Sequence, residues 1–103
     1  MHQKSFNEKV WDVLRMVPSG KVSTYKAIAI ALGKPDSARA VGNACNKNPF
    51  SPEVPCHRVV KSNGELGGFA KGTKKKARLL EKEGIKIKNS KILNFDKVIF
   101  KFK

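Results

Sequence analysis

The chain has 103 residues, and 22 lysines and arginines against 8 aspartates and glutamates give it a formal net charge of +14. This length allows one small domain, and because the chain has neither the ~18 apolar residues of a membrane span nor a signal peptide, we expect a soluble cytoplasmic protein without membrane contact, nucleoid-associated in a prokaryote. The charge favours a polyanionic partner such as nucleic acid over a merely solvated or ribosome-bound surface.

The first half of the chain predicts three helices. Ser5-Phe6-Asn7-Glu8 has the form of a capping box, and apolar residues then recur at helical spacing as far as Val17. A second helix begins near Ser23-Thr24 and ends at Gly33, and a third runs over residues 38–46. Because only four residues separate these two helices, we predict a helix-turn-helix with the third helix as its recognition element.

The second half predicts a hairpin, a fourth helix and two strands. Residues 56–61 and the segment from Leu66 onward flank a turn that contains Asn63-Gly64, a strong hairpin signal. A lysine-rich helix follows over residues 73–83. The tail alternates over residues 85–88 and 98–103. We therefore predict a mainly α-helical, winged-helix-like helix-turn-helix domain with a small β-hairpin. It occupies residues 1–103, of which 85–103 form an extension with two short strands.

A cysteine and a histidine stand side by side in Pro55-Cys56-His57-Arg58-Val59. A thiol becomes a good nucleophile only when it loses its proton, and a nearby base promotes that loss. By itself such a pair is compatible with proteolysis, redox chemistry or metal binding. A zinc site is disfavoured because no paired ligand motif accompanies the two residues. We expect Cys45 and Cys56 to be free thiols.

Residues 55–59 resemble the active-site signature of the 6-O-alkylguanine-DNA alkyltransferases, also called methylated-DNA–protein-cysteine methyltransferases. Further motifs that resemble this family occur in its order at compatible spacings: residues 20–25, 38–44, 48–49, 67–69, 71–72 and 79–84. Each motif alone is weak, but together they are specific. The resemblance covers about residues 6–84 and implies the family's C-terminal DNA-binding and active-site domain, and we expect the N-terminal domain common in the family to be missing.

The resemblance implies a role for five residues in catalysis. Cys56 is the alkyl acceptor, His57 is the general base that acts through a water, and Glu83 orients His57. Tyr25 contacts the flipped guanine and donates a proton to it, and Asn48 fixes the turn between the recognition helix and the active site. Without the resemblance, Cys56 would be interpreted as an inert buried thiol and Glu83 as an exposed residue of a Lys/Glu helix.

The resemblance also implies the residues that contact DNA and the base. Arg39 is the finger that enters the base stack, although from the residues alone a phosphate contact is favoured. The other predicted DNA contacts are Ser23, Thr24, Ala38, Ala40, Gly42 and Lys76. The predicted substrate pocket consists of Val59, Phe69, Ala70 and Lys71. Phe69 and Ala70 stand where the family often has tyrosine and serine, so a hydroxyl contact to the alkylated oxygen is absent.

The implied function is DNA repair by direct damage reversal. The protein would flip 6-O-alkylguanine out of double-stranded DNA and transfer the alkyl group irreversibly to Cys56, as a monomeric suicide methyltransferase that needs no metal and no organic cofactor. Cooperative binding along DNA stays open. Two other classes remain: an alkyltransferase-like protein that binds the lesion without transfer, and a winged-helix regulator or architectural protein with an incidental thiol.

Overall fold

The computed structural model describes residues 3–51 and 53–102. Its elements in chain order are α1 (Phe6–Leu14), β1 (Ser23–Thr24), α2 (Tyr25–Ala31), α3 (Ala38–Asn46), a 3-10 helix (Cys56–Arg58), β2 (Val59–Val60), α4 (Thr73–Lys82), β3 (Ile87–Lys88), β4 (Lys91–Ile92) and α5 (Phe95–Val98). The predicted fold class is confirmed: the domain is mainly α-helical, with a helix-turn-helix formed by α2 and α3. Its hairpin is formed by β3 and β4, which is not the place predicted for the small hairpin.

Helix α1 begins with the predicted capping box. The Ser5 hydroxyl accepts from the Glu8 amide at 3.2 Å, and the Glu8 carboxylate accepts from the Ser5 amide at 3.0 Å, so two amides of the first turn are satisfied. The helix ends at Leu14, earlier than the apolar spacing predicts. The indole N–H of Trp11 donates to the Ala44 carbonyl at 2.9 Å and thereby ties α1 to α3.

Three features stabilise the helix-turn-helix: a side-chain cap before α2, a glycine after α2, and the packing of α3 against two helices. Thr24 precedes α2, and its hydroxyl accepts from the Ala27 amide at 3.0 Å. Gly33 follows α2 with a φ of +76°, a left-handed conformation that glycine adopts without strain. Helix α3 packs against both α1 and α2. Helix α3, the predicted recognition helix, therefore packs with one face on α1 and α2 and exposes the opposite face.

Strands β1 and β2 pair in parallel, with Ser23 opposite Val59 and Thr24 opposite Val60. Helix α2 starts at Tyr25, directly after β1, and the 3-10 helix that contains Cys56 ends directly before β2. This short ladder fixes the start of the helix-turn-helix relative to the Cys56 segment, although the two are more than thirty residues apart in sequence.

The hairpin predicted around Asn63-Gly64 is wrong in its strands, although its turn forms. The Gly64 amide donates to the Lys61 carbonyl and the Lys61 amide donates to the Glu65 carbonyl, both at 2.9 Å. The flanking segments then separate, because β2 pairs with β1 while Glu65 forms an antiparallel bridge with Lys91. Gly67, with a φ of +72°, turns the chain away from an extended course.

The first predicted strand of the tail, residues 85–88, forms in part as β3, but it pairs with β4 and not with residues 98–103. Strands β3 and β4 are joined by Asn89 and Ser90, whose φ angles of 53° and 61° are those of a tight hairpin turn. Residues 98–102 do not form the predicted strand, because the chain turns into α5 and only Ile99 bridges to Val22. Lys103, at the end of that predicted strand, lies outside the described residues.

Two clusters of apolar side chains make up the core. One lies among the first three helices and the Cys56 segment, and the other lies between α4 and the tail. The first contains Val10, Leu14, Ile28, Ala29, Val41, Ala44, Cys45, Val54, Cys56 and Val59, and the second contains Val22, Val60, Leu66, Leu80, Ile85 and Ile92. The β1–β2 ladder lies between them, since Val59 belongs to the first cluster and Val60 to the second.

Candidate active site

Cys56 is the first residue of the 3-10 helix and is only 5% exposed. Its amide donates to the Val54 carbonyl at 2.9 Å, and the Arg58 amide donates to the Pro55 carbonyl at 2.9 Å. The predicted hairpin has a strand that begins at residue 56, so the 3-10 helix at this position is a correction. The turn sets Cys56 and His57 against the core, where surrounding residues restrict their side chains.

His57 and Glu83 are in direct contact, as the resemblance implies. His57 Nε2 lies 3.0 Å from Glu83 Oε2, and the histidine is 1% exposed. A carboxylate only accepts hydrogen bonds, so we assign the imidazole proton to Nε2 and the lone pair to Nδ1. Among the described residues, no group bonds the buried Nδ1. The contact with Glu83 thus selects the tautomer in which Nδ1 is the basic atom.

Arg58 completes this group by binding the same carboxylate. Its Nε donates to Glu83 Oε1 at 2.9 Å and its Nη2 to Glu83 Oε2 at 2.6 Å, which is the bidentate geometry of a strong ion pair. Its Nη1 donates to the Val17 carbonyl at 2.7 Å. Arg58 therefore joins the chain just after α1 to the C-terminal end of α4.

The environment keeps His57 neutral and Glu83 ionised. Burial lowers the pKa of His57, and it prevails over the hydrogen bond and charge of Glu83, which raise it. Burial alone would raise the pKa of Glu83, but the hydrogen bonds from Arg58 and His57, together with their charge interactions, lower it. At neutral pH the site therefore holds a neutral imidazole against a carboxylate, which suits a general base.

Asn48 lies at the predicted turn and closes it with two hydrogen bonds. Its side-chain amide donates to the Val54 carbonyl at 2.7 Å, and its side-chain oxygen accepts from the Phe50 amide at 2.8 Å. These bonds connect the segment that follows α3 to the residue two positions before Cys56. Asn48 is placed to hold the connection between the recognition helix and the Cys56 turn.

Lys76 is buried, which corrects its predicted role as a DNA contact. The side chain is 0% exposed, and its ammonium donates to the Val59 carbonyl at 2.6 Å and to the Gly68 carbonyl at 3.1 Å. Burial lowers its pKa to about 8, and the charges of Cys45 and Cys56 oppose that shift. Lys76 therefore connects β2 to the glycine-rich loop, which we define as residues 67–72, from the inside of the protein.

Tyr25 lies between the buried group and the surface. Its ring is 5.8 Å from the Lys76 ammonium, and a Cβ atom added at Gly67 would come within 3.4 Å of its hydroxyl oxygen. Burial, then the charges of Cys45 and Cys56, raise the pKa of Tyr25 to about 12. The hydroxyl is therefore protonated at neutral pH and available as a hydrogen-bond donor.

Arg39 is exposed and borders an open cleft of about 470 Å³. The cleft lies between α3 and the glycine-rich loop, and its size falls within the range of about 300 to 1,000 Å³ typical of small-ligand sites. It is lined by Tyr25, Ala38, Arg39, Gly42, Asn43, Asn46, Lys61, Gly67 and Gly68. Three of the predicted DNA contacts, Arg39, Ala38 and Gly42, thus lie together with Tyr25, and Ala40 is half-buried on the same helix.

Three lining residues were not indicated by the sequence reasoning. Asn43 and Asn46 follow Arg39 at helical spacing, so the period of α3 could have identified both. Lys61 reaches the cleft from the turn after β2, and no sequence pattern places it there. These residues add two amides and a cation to the surface around Arg39.

Ser23 and Thr24 are corrected from DNA contacts to structural residues. Ser23 is 0% exposed and Thr24 is 6% exposed. Both lie in β1 against β2, and the Thr24 hydroxyl is occupied as the cap of α2. The resemblance located the start of the helix-turn-helix, but burial in the ladder keeps these two side chains from the surface.

The four predicted pocket residues lie in different environments. Val59 is fully buried, and its carbonyl accepts from Lys76. Phe69 is half-buried against the first core cluster, and Ala70 is exposed. Lys71 lines a separate groove along α4 rather than the Arg39 cleft, which is a further correction.

Cys45 is a buried second thiol in the same core cluster as Cys56, and both cysteines are free, as predicted. Burial, together with the charge of Cys56, raises the pKa of Cys45 to about 12. Cys45 is therefore a neutral thiol at physiological pH. In the described part of the chain, no group of three His, Cys, Asp or Glu side chains is placed to hold a metal ion. None of the described helices is long and apolar enough to cross a membrane.

The comparisons with known proteins agree with these features. The family model for the DNA-binding domain of 6-O-methylguanine DNA methyltransferase matches residues 5–85. A methylated-DNA–protein-cysteine methyltransferase of Salmonella typhimurium is 49% identical over 79 residues, which are 77% of this chain and 46% of that protein. This chain thus spans about half the length of such curated relatives.

Two solved structures are also similar. Mycobacterium tuberculosis OGT in complex with DNA has a TM-score of 0.76 at 41% identity, and the match covers 80% of this chain and 51% of that one. Schizosaccharomyces pombe Atl1 in complex with damaged DNA containing O6-carboxymethylguanine has a TM-score of 0.85 at 34% identity, and the match covers 99% of this chain and 100% of that one. The match to Atl1 includes the tail, which the match to the family model does not.

Proposed function

Because this chain belongs to the 6-O-methylguanine DNA methyltransferase DNA-binding-domain family, we propose that it repairs alkylated DNA by direct reversal. The substrate is double-stranded DNA that contains 6-O-alkylguanine. The protein flips the base out of the duplex and accepts its alkyl group irreversibly, so that each molecule acts once as a methylated-DNA–protein-cysteine methyltransferase. Extrusion is needed because the reacting carbon is inaccessible within the base stack.

The observation that carries this proposal is the 3.0 Å contact between Glu83 and the buried His57, which leaves Nδ1 as the basic atom of the imidazole next in sequence to Cys56. In the reaction, the Cys56 thiol loses its proton to His57 Nδ1 through a water, and Glu83 stabilises the imidazolium that forms. The sulfur then attacks the alkyl carbon, so one S–C bond forms and the C–O6 bond breaks. The electron pair of the broken bond stays on the guanine, which takes up a proton.

Tyr25 has the role of assisting the departing guanine. A hydroxyl with a raised pKa is a good hydrogen-bond donor at neutral pH but releases its proton reluctantly. Tyr25 therefore stabilises the negative charge that develops on guanine by donating a hydrogen bond as the C–O6 bond breaks. A proton that Tyr25 passes to the base is replaced through water by the one that His57 took from Cys56. The product is a thioether at Cys56, which has no leaving group that would regenerate the thiol.

Arg39 has the finger role in this proposal. It is exposed on α3 at the border of the cleft that Tyr25 also lines, so a side chain entering the duplex from α3 would direct the extruded base toward Tyr25. The half-buried Ala38 and Gly42 give α3 a low surface beside Arg39, and such a surface allows close approach of the DNA.

A second candidate function is lesion binding without transfer. The observation in its favour is the match to Atl1, which covers nearly all of both chains. Cys56 favours transfer, because an acceptor thiol is present in the active-site turn.

The experiment is an intact-mass measurement after mixing the protein with a duplex that contains 6-O-methylguanine. We expect a gain of one methyl group, which is lost in Cys56→Ser and retained in Cys45→Ser. Tight, lesion-selective binding without a mass gain would instead establish the second function. A protein that neither gains mass nor prefers the lesion would overturn both.

Arg39→Ala provides a second arm of this experiment. We expect single-turnover transfer at limiting DNA to slow by roughly 10- to 100-fold, since flipping costs a few kcal/mol that the finger helps to offset. Lys9→Ala, which removes an exposed cation from α1, is the matched control and should leave the rate unchanged. Equal rates in the two variants would exclude the finger role.

A further inference from the structure

Helix α4 and Lys71, which lies two residues before its first residue, carry five exposed cations. We use the name α4 stripe for Lys71, Lys74, Lys75, Arg78 and Lys82, which follow one another at intervals of three, one, three and four residues. Those intervals place the helical members along one side of the helix. All five side chains are exposed, and together with Gly72 and Leu79 they line a groove of about 500 Å³.

The positive charge of the α4 stripe is not balanced within the protein. In the part of the chain that the structure describes, none of the five cations forms an ion pair, whereas Glu83 at the end of the helix is engaged by His57 and Arg58. Like charges three and four residues apart on a helix repel each other. The stripe therefore opposes folding slightly and gains stability when an anionic partner binds.

The groove is close to the Arg39 cleft. Gly68 lines the cleft and Lys71 begins the stripe. Since the chain extends by at most ~3.6 Å per residue, the α carbons of these two residues are within about 11 Å of each other. The phosphates of one DNA strand are spaced by about 3.4 Å along the helix axis. A duplex bound at Arg39 therefore has phosphates within reach of Lys71 and the start of α4.

The shape of the stripe fits a strand of phosphates better than it fits a compact anion. At 1.5 Å per residue, the eight steps from Lys74 to Lys82 extend over about 12 Å, which equals roughly three to four phosphate spacings along the duplex axis. Gly72 precedes α4 without a side-chain cap, so the positive end of the helix dipole opens at the same groove. The groove is thus a cationic track and not a single-anion pocket.

We propose that the α4 stripe is a second DNA-contacting surface, which binds the backbone phosphates of duplex DNA flanking the base held at the Arg39 cleft. It binds without regard to sequence or damage, because phosphate contacts carry no base information. The α4 stripe thereby holds the protein on undamaged DNA and lengthens the segment that the protein covers. This inference rests on the DNA binding of the proposed function but not on alkyl transfer.

The experiment measures the affinity for an undamaged fluorescent duplex between about 50 and 200 mM salt. The variant K74Q/K75Q/R78Q removes three charges and keeps good helix formers. Each lost phosphate contact lowers the slope of log affinity against log salt by about 0.9, so we expect a slope lower by about 2 to 3. The matched control K86Q/K88Q/K91Q removes three exposed charges from the β3–β4 hairpin and should lower the slope by less than about 1.

A reduction below about 1 in the α4 variant, or one equal to that of the control, would overturn the proposal. K74R/K75R/R78K keeps the charge and should keep the slope. If the triple variant does not fold by circular dichroism, the single variants K74Q and R78Q are used. Each should then lower the slope by about 1, and an unchanged slope in both would overturn the proposal.

Alkyl transfer is measured separately, by intact mass at saturating methylated duplex. K74Q/K75Q/R78Q should still gain one methyl group, since the α4 stripe lies outside the buried active site. If the native chain gains no methyl group while the slope difference persists, alkyl transfer is refuted and the α4 stripe stands. If transfer occurs without a slope difference, the α4 stripe is refuted and transfer stands.

Discussion

Helix α4 has two faces with opposite chemistry, and both begin in one run of three lysines. Lys74 and Lys75 are exposed and belong to the α4 stripe, whereas Lys76 is 0% exposed and donates to two carbonyls of the active-site region. At the far end of the helix, Glu83 joins the buried side through His57 and Arg58. One helix therefore supplies both an unpaired cationic surface and a fully paired interior.

The difference teaches that charge in this protein has two separate uses. On the exposed face, the cations act together through their summed electrostatic field. Any single cation is therefore replaceable, and its contribution to binding depends on the salt concentration. On the buried face, each charged group is held by named partners, so its removal leaves a buried polar group unsatisfied. Substitutions on the two faces should accordingly change different measured quantities.

The largest expected effect is that of Glu83→Gln. The variant weakens the hold on His57 and removes the counter-charge of Arg58, so we expect single-turnover transfer to slow by roughly 10²- to 10⁴-fold. We also expect a loss of about 2–4 kcal/mol in the free energy of unfolding, which is somewhat less than for a fully buried pair. The measurements are transfer rate by quenched intact mass and urea unfolding.

Two controls separate positioning from stability in that experiment. Glu81→Gln changes an exposed glutamate on the same helix and should leave both quantities within error. The double variant R58M/E83Q removes the unpaired guanidinium and should recover part of the stability without recovering the rate. A rate that rises together with stability would mean that Glu83 only supports the fold.

Much of the fold could be predicted because its signals are local. The bounds of α3 were predicted to the residue, since a proline turn precedes it and small residues fill it. The capping box of α1 and the glycine after α2 depend on neighbouring residues alone. The tail was predicted less well, because its hairpin depends on positive φ angles at Asn89 and Ser90 and its register on contacts with Glu65 and Val22.

The residues of the site also fall into two groups: those that sequence motifs identify, and those that only tertiary packing brings together. The family motifs identified Cys56, His57 and Glu83, and the structure brings His57 and Glu83 together. Arg58 as a bidentate partner of Glu83 could not be predicted, because the two residues meet only through tertiary packing. The burial of Ser23, Thr24 and Lys76 was missed for a related reason: polar residue types indicate a surface, and only the β1–β2 ladder and the packing of α4 place these three inside.

The next prediction compares two adjacent lysines of α4. Lys76→Met keeps the volume of the side chain but leaves the carbonyls of Val59 and Gly68 without their donor, so we expect a loss of about 1–3 kcal/mol in the free energy of unfolding. Lys75→Met, at an exposed position, should change it by less than about 0.5 kcal/mol. Urea unfolding at pH 7 measures both, and equal losses would contradict the difference between the two faces.

The smallest expected effect is a pH dependence of stability that originates in the buried pair. The folded-state pKa of His57 lies below its ordinary value of 6.5, and that of Glu83 lies below its ordinary value of 4.5. Each group thus has a pH window between its ordinary pKa and its lowered pKa. In both windows the unfolded chain binds more protons than the folded protein, so the free energy of unfolding falls as the pH falls. The contribution of His57 to stability is complete above pH 6.5 and is lost as the pH falls from 6.5 to its lowered pKa. The contribution of Glu83 is lost later, below pH 4.5.

His57→Gln tests the first of these windows. The chain has two histidines, so His2→Gln is introduced in both proteins and only His57 distinguishes their titration. One group contributes at most about 1.4 kcal/mol per pH unit, and we expect the parent's stability to fall more steeply than the variant's between pH 6.5 and 5. Parallel curves would mean that burial does not favour neutral His57, and the base assigned to Cys56 would then lose its electrostatic support. Because the α4 stripe carries no histidine, K74Q/K75Q/R78Q should retain the parent's slope of stability against pH in this range. That result would assign the effect to the interior of the protein.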